Sequence, residues 1–593
     1  MKKFILQFTL LVTSFMFAQT DPNAFIIKYK TEAKRLKAII EIDDKFAGYD
    51  FNVNWGDGTT DTNITDDVTH EYATVREFTV SITGVYPALE LGGKSTGAPV
   101  ISVEQWGTNE WLSGEKMFAF IKEFKTINAT DIPNFSKATS LKAMFFSCKE
   151  FNSDISKWDV STIKDFSDMF LKTEKFNSPL NDWDVSSAIF MERMFFSSDI
   201  FNQPLNDWDV SNVTNMASMF KATIGFSGPS EFNQPLDKWD VSNVTNMRSM
   251  FEGADKFNQP LNSWNVSKVT ITSDMFSGAL KFNQPLDKWD VSNVEVMGGM
   301  FAGAESFNQS LNSWNVGKVT EMSSMFSGAK EFNQPLNNWD VSKVISMGGM
   351  FSNAEVFNQN INTWDTSSVE ELSYIFAEAK AFNQPLDNWD LSNISSVEHD
   401  GVFRGATSFD QPLENWYPRQ GSGVKNMRLF LSESGMSSEN YTKTLIAWSK
   451  APDIIDDSAV EFGLNLEAKG VDYCDEAISA IEILENDLNW FIEHGDIDPD
   501  CSGPTLSTND FSTIADNDTT MYFDYQTNSI AIQTETKAAL TVYDLFGREV
   551  IVKQIASGIS SENLSSLQPA LYIVKLKNNG VAGKDKLLKV ILN

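Results

Sequence analysis

Phe282-Asn-Gln-Pro-Leu-Asp-Lys-Trp-Asp-Val-Ser-Asn-Val-Glu-Val-Met-Gly-Gly-Met-Phe301 is the clearest copy of a phrase that fills the middle of this chain. Its tryptophan slot is occupied by Trp158, Trp183, Trp208, Trp239, Trp264, Trp289, Trp314, Trp339, Trp364, Trp389 and Trp416, at spacings of 25, 25, 31, six times 25, and then 27 residues. A fixed period of this size is the signature of a solenoid, in which each repeat buries its apolar face only against its neighbours. Such an array offers a long surface rather than one deep pocket.

Within one repeat, Ser242 precedes Val244, Met247, Met250 and Phe251. The steps of 3, 3 and 1 predict one face of a short helix, with Ser242 as its N-cap and Gly253 as a left-handed stop. Phe257 to Leu261 then reads as extended chain, with Pro260 at a strand edge and Trp264 filling the corner before the next helix. A helix of about nine residues is marginal alone, so stacking has to hold it. Gly298, Gly299, Gly348 and Gly349 weaken the helical reading locally and suit close approach between neighbours.

Two polar columns accompany the apolar ones. An asparagine follows the phenylalanine at Asn152, Asn177, Asn202, Asn233, Asn258, Asn283, Asn308, Asn333, Asn358 and Asn383. A stacked column of amides is read as a structural ladder rather than a ligand site. Asp or Asn follows the tryptophan, for example at Asp209, Asp240, Asn265, Asp290, Asn315, Asp340, Asp365 and Asp390. Their stacked carboxylates repel unless each bonds backbone N–H groups near the helix start or water screens them; a calcium ladder is the alternative, although the spacing lacks a D-x-D-x-D pattern.

These residues, with the lead-in Ile101-Ser-Val-Glu-Gln-Trp-Gly107, the first repeat from Thr130-Asp-Ile-Pro133 to Met144-Phe145, and the closing Ser438-Glu-Asn-Tyr441, Trp448 and Tyr473-Cys474, resemble the BspA-like leucine-rich-repeat family of bacterial surface proteins. The resemblance implies a curved right-handed solenoid and a role in adhesion or interaction. The expected fold class is an α/β repeat solenoid, one short strand and one short helix per 25-residue coil, flanked by an N-terminal β-sandwich and a small C-terminal β-sandwich. Two departures interrupt the period: six extra residues within Lys221 to Glu231, including Gly228-Pro229, and two more at His399-Asp400. Insertions in such arrays become loops on one face.

The expected organisation is 1–18 signal peptide, 22–92 β-sandwich, 100–426 repeats, 427–501 helical cap, 502–518 linker and 519–593 terminal sandwich. Lys2 and Lys3 before the apolar run Phe4 to Phe17, then Ala18, read as a secretory signal. Phe51, Val53 and Trp55 alternate before Gly56-Asp57-Gly58, and Phe78, Val80 and Ile82 alternate after His70-Glu71-Tyr72. This resembles a PKD-type (polycystic-kidney-disease) domain, in which Trp55 is read as core rather than a sugar platform. Ala477, Ile478, Ile481, Ile483 and Leu484 mark a helical cap over the last coil. The tail carries expected strands at Ile530–Thr534, Ala539–Tyr543, Glu549–Lys553, Leu571–Leu576 and Lys586–Ile591. Val542-Tyr-Asp-Leu-Phe-Gly-Arg-Glu-Val550, with Leu571-Tyr-Ile-Val-Lys575 and Lys586-Leu-Leu-Lys589, resembles the C-terminal sorting domain of the type IX secretion system. That implies the secretion machinery as a partner and a secreted or outer-surface location.

The formal net charge of −33 argues against nucleic acid and against docking on an anionic membrane. No later segment is apolar enough to span a membrane. Cys474 and Cys501 are near enough to close one loop, and the sequence leaves their pairing open; Cys148 sits inside the repeats. The only histidines, His70, His399 and His494, form no metal spacing, and no nucleophile-elbow, zincin or phosphate-loop motif occurs. No catalytic residue, cofactor site or metal site is expected. The expected function is a non-enzymatic adhesin or interaction scaffold for a protein or glycan ligand on a surface or matrix. The alternatives are a structural surface-layer or biofilm component and a carbohydrate-binding accessory protein.

Overall fold

A computed structural model describes residues 21–92, 97–223, 230–394, 400–419, 426–451, 454, 464–501, 513–516, 519–524, 529–534, 537–544, 548–564, 566–568, 570–578 and 586–592. The signal-peptide expectation at 1–18, the Gly228-Pro229 insertion, His399, and the linker expectation at 502–512 and 517–518 lie outside the described residues. The chain divides into two units, Met1–Asp498 and Pro499–Asn593.

The first unit begins with strands β1 (Phe25–Lys30), β2 (Lys37–Ile42), β3 (Asp50–Asn54), β4 (Thr60–Ile64), β5 (Val68–Glu71), β6 (Glu77–Val85), β7 (Leu89–Glu90), β8 (Val100–Gln105) and β9 (Thr126–Ile127). They form a six-stranded sheet in the order β4-β3-β6-β1-β8-β9 and a three-stranded sheet in the order β5-β2-β7. Alternation decides which faces are buried: Phe78, Val80 and Ile82 on β6 point inward, as do Phe51 and Val53 on β3. Trp55 is fully buried, and Tyr72 donates from its hydroxyl to the Trp55 carbonyl at 2.8 Å. Gly56 has φ +76°, and a Cβ there would lie 2.3 Å from the Thr79 carbonyl oxygen, so the turn after Trp55 requires glycine. The sheet does not stop at residue 92. Strand β8 is antiparallel to β1 and parallel to β9, so the N-terminal sheet and the first repeat share a strand.

The tandem repeats follow. Each contributes one isolated parallel bridge to the next, running Ser140, Asp165, Phe190, Asn215, Asn246, Ile271, Val296, Glu321, Ser346, Glu371. The helix expected in every repeat is absent: among the described residues of 100–425 no helix occurs. The backbone explains why. The N–H groups of Met247, Ser249, Phe251 and Gly253 donate to the carbonyls of Ile271, Ser273, Met275 and Ser277 in the next repeat, at 2.7–3.0 Å. Between and after them, Met250, Glu252 and Ala254 donate back three positions within their own repeat, and Arg248 donates to the Asn246 side chain. An α-helix would send all of these N–H groups four residues back. Ser249 at φ 55° and Gly253 at φ 70° are left-handed, which ends any helix. The 3-3-1 apolar spacing therefore marks a run of β-turns with Met247, Met250 and Phe251 pointing inward. The segment Phe257 to Leu261, expected as the strand, has no strand assignment either; the one bridge per repeat lies eleven residues before the phenylalanine.

The inward slots form an unbroken core. Phe251 and Phe276 stack at 5.7 Å, Phe257 and Phe282 at 6.0 Å, and Trp264 and Trp289 at 6.4 Å, and this pattern recurs along the repeats. Every register tryptophan from Trp183 to Trp416 also donates its indole N–H to the carbonyl of the leucine or isoleucine in the preceding repeat, as Trp289 does to Leu261 at 2.9 Å. Cys148 fills the slot held by Ala254 and Ala279 elsewhere; its buried thiol faces the Phe118 carbonyl, and burial raises its pKa.

Residues 427–501, expected as a helical cap, hold strands as well as helices. Strands β10 (Asn426–Met427), β11 (Asn465–Glu467) and β12 (Phe491–Glu493) continue the parallel pairing, with helix α1 (Ser438–Ser449) and the short helix α2 (Ile478–Glu482) packed beside them. Trp448 on α1 takes over the register role and donates to the Leu413 carbonyl at 2.8 Å. Cys474 and Cys501 are both disulfide-bonded.

The second unit holds two four-stranded antiparallel sheets. One has the order β13 (Thr513–Asp516), β14 (Thr519–Asp524), β15 (Ser529–Thr534), β18 (Gly558–Asn563). The other has the order β17 (Glu549–Ile555), β16 (Ala538–Tyr543), β19 (Ala570–Asn578), β20 (Lys586–Leu592). Ile530, Ile532, Leu540, Val542, Val574 and Val590 fill their common core. All five expected strands are present. The expected linker is shorter than 502–518, because Thr513–Asp516 pairs with Thr519–Tyr522.

Candidate interaction surface

The asparagine column is fully engaged. From Asn177 to Asn358 each Oδ1 accepts the backbone N–H of the next asparagine, as Asn258 does from Asn283 at 3.0 Å, and also the Nε2 of the following glutamine, as from Gln284 at 3.0 Å, while Asn152 accepts from the Ser178 hydroxyl in place of a glutamine. The ladder ends at Asp410, which accepts from the N–H and hydroxyl of Ser437 and from the Asn440 amide. Burial works against the ionised Asp410, but these bonds outweigh it and its pKa falls. Ser437 is the N-cap of α1, so the amide column runs directly into the cap. With both acceptor directions of Oδ1 used, the column does structural work between repeats.

The acids after the tryptophans close turns. Oδ1 of Asp240, Asp290, Asp340 and Asp365 accepts the N–H of the serine two residues on, at 3.0–3.1 Å. Hydrogen bonds from those serines, side chain first and then backbone, hold these four carboxyls below the ordinary range. Ser242, expected as a helix N-cap, is instead the N–H donor of such a turn. Asn265 and Asn315 close the same turn without charge. Among the described residues no group of three or more His, Cys, Asp and Glu side chains is arranged to hold a metal ion.

In the N-terminal sheets, His70 lies 2.8 Å from Asp57 and stacks on Trp55 at 4.9 Å. The Thr59 hydroxyl, more than His70, pushes the Asp57 carboxyl down to about 2. Trp55 donates its indole N–H to Asp61 at 2.8 Å and is buried core, not an exposed platform. His494 contacts the Gly495 carbonyl and the Tyr473 ring near the cap. The second insertion places Asp400 as a buried acid bonded to Arg428. None of these groups assembles into a shared site.

The turn run also has an outward side. Its side chains lie opposite the buried methionines and phenylalanines, and its two left-handed columns hold mostly Gly, Ser, Asp or Asn. Gly303 and Gly328 lie face to face, with the Cβ position of one 3.5 Å from the Cα of the other, so the repeats approach closely there. On the opposite rim, complementary charges cross between repeats, as in Lys175–Glu150 and Lys330–Glu305. These pairs are exposed and each contributes little. Of the outward positions the sequence marks only glycines such as Gly253, Gly299 and Gly349, because the other residue types vary from repeat to repeat.

The fold and this surface define a tandem-repeat protein with no helix long and apolar enough to cross a membrane among its described residues. Residues 112–230, 223–339 and 328–444 each match the family described as Mycoplasma protein of unknown function, DUF285. The matches together span more than half of the chain, which therefore belongs to that family. No curated protein and no solved structure shows a significant match.

Proposed function

We propose that this protein is a secreted or cell-surface interaction scaffold, a solenoid whose inward slots build the core and whose outward slots meet a partner. The observation that carries this reading is the division of labour within each repeat: every large register side chain is buried against its neighbours, while the outward side of the turn run varies in residue type from repeat to repeat. The absence of any catalytic constellation in the sequence supports binding rather than turnover. The BspA-like resemblance supports adhesion, and the PKD-like and sorting-domain resemblances support export through the type IX route and display outside the cell. The partner is a protein or glycan on a surface or matrix.

The full chain, labelled and applied to an array of glycans and matrix proteins, is expected to bind one class saturably and to release no product from it. Failure to bind any class would contradict the scaffold reading. Expressed in its own host, the chain is expected outside the cell, and a version ending before Thr519 is expected to stay in the periplasm.

A further inference from the structure

We propose that the outward side of repeats 139–253 docks a carboxylate-bearing polysaccharide. This rests on the scaffold reading and names its partner. The evidence is a contrast within one register. The turn runs 139–147, 164–172, 189–197, 214–222 and 245–253 carry six cations, Lys142, Lys164, Lys172, Arg193, Lys221 and Arg248, against four acids. The equivalent runs 270–278, 295–303, 320–328, 345–353 and 370–378 carry no lysine or arginine and six acids. In a chain with a net charge of −33, a strip richer in cations than in acids is an exception, and the fold does not require it, since the later repeats do without it.

Aromatic rings occupy the same strip and the turn that precedes it. Phe120 is 51% exposed and Phe190 is 43% exposed. Phe146 and Phe196 are half-buried beside them, and Phe120 meets Phe146 at 4.6 Å. In later repeats the slot of Phe146 and Phe196 holds Ser277, Ala302, Ser327, Ser352 and Ala377. The rings are therefore no part of the shared core.

The backbone aligns these groups in rows. Ser147, Lys172 and Ser197 donate from their N–H groups to the carbonyls of Leu171, Phe196 and Lys221, each at 2.7–2.8 Å. The Lys221 ammonium lies 5.8 Å from the centre of the Phe196 ring. Arg193 is held by Asp168 and Lys221 by Glu252, whereas Lys142, Lys164 and Lys172 form no ion pair among the described residues. Exposed rings beside uncommitted ammonium groups, spread over successive repeats, suit an extended acidic sugar chain: the apolar face of a sugar ring against phenylalanine, its carboxylate against lysine. A nucleic acid offers rings and anions too, and the DNA comparator below separates it from an acidic sugar.

The test uses the full chain with polygalacturonate as probe, and methyl-esterified pectin, polyglutamate and single-stranded DNA as comparators, read by titration calorimetry. Polygalacturonate is expected to bind, more weakly as salt rises. K164S/K172S and F120S/F190S are each expected to weaken it about tenfold or more. K281S/K288S, which removes the same charge from another side, is expected to leave it unchanged. Circular dichroism confirms that each variant is folded. The proposal is overturned if polygalacturonate does not bind, if K164S/K172S binds as the parent does, or if polyglutamate or DNA binds as tightly. A different ligand found on the array, indifferent to these substitutions, would overturn this proposal and leave the scaffold reading standing; no ligand at all would overturn both.

Discussion

Repeats 139–253 and 270–378 share one interior and differ in their exteriors. Trp208 and Trp339 make the same indole bond to the preceding leucine carbonyl, at 2.9 Å in both. Phe195 and Phe326 stack on their successors at 5.6 and 5.8 Å. Yet the outward slot after these two phenylalanines is Phe196 in one and Ser327 in the other. The inward slots must repeat because each is packed against its own equivalent. The outward slots face solvent and are free to diverge. Conformity thus reports on the fold, and departure from it marks where recognition is to be sought.

The largest effect expected to test that contrast comes from an inward slot. Trp289→Ala should cost about 3–5 kcal/mol by leaving a cavity, with an added loss of the bond to Leu261. Chemical denaturation would show it, and a variant melting like the parent would remove the tryptophan from the core. Asn258→Ala should cost about 1–3 kcal/mol, because it orphans the Asn283 N–H and the Gln284 amide together. Phe190→Ser, an outward change, should stay within about 0.5 kcal/mol of the parent in the same assay.

The smallest effect is electrostatic. Asp290 has a folded-state pKa below its unfolded value, so its contribution is complete above the unfolded pKa of about 4 and is lost as pH falls through the folded value. Asp290→Asn keeps the turn, as Asn265 and Asn315 do, and removes that share of acid sensitivity. The parent should melt above the variant at neutral pH, and the two melting temperatures should converge as pH falls through the folded-state value. Equal slopes would mean that the carboxylate has no preferential partner in the folded state.

Much of this interior is legible in the sequence. The period, the buried tryptophans, the amide ladder and the left-handed Gly253 all follow from residue type and spacing. The helix does not survive, because an apolar residue every third position is shared by a helix and by a run of β-turns. The distinguishing signal is present but faint: two columns four residues apart that favour residues tolerant of positive φ, such as Asp274 and Gly278, Gly299 and Gly303, Gly349 and Asn353. In the terminal unit the apolar strands read clearly, whereas β18, with exposed Gly558 and Ile559, lacks the alternation that marks a half-buried strand. The outward strip was not legible at all. Its meaning depends on knowing which slots face solvent, and only the backbone bonding between repeats decides that.

The central claim is that neighbouring repeats share one interior. Amide hydrogen exchange of Trp289→Ala against the parent tests it most directly. Shared packing predicts faster exchange on both sides, through the ring stacks to Trp264 and Trp314 and in the turn runs 245–253 and 320–328. Exchange that accelerates only between residues 282 and 301, with both neighbouring repeats as protected as before, would contradict it.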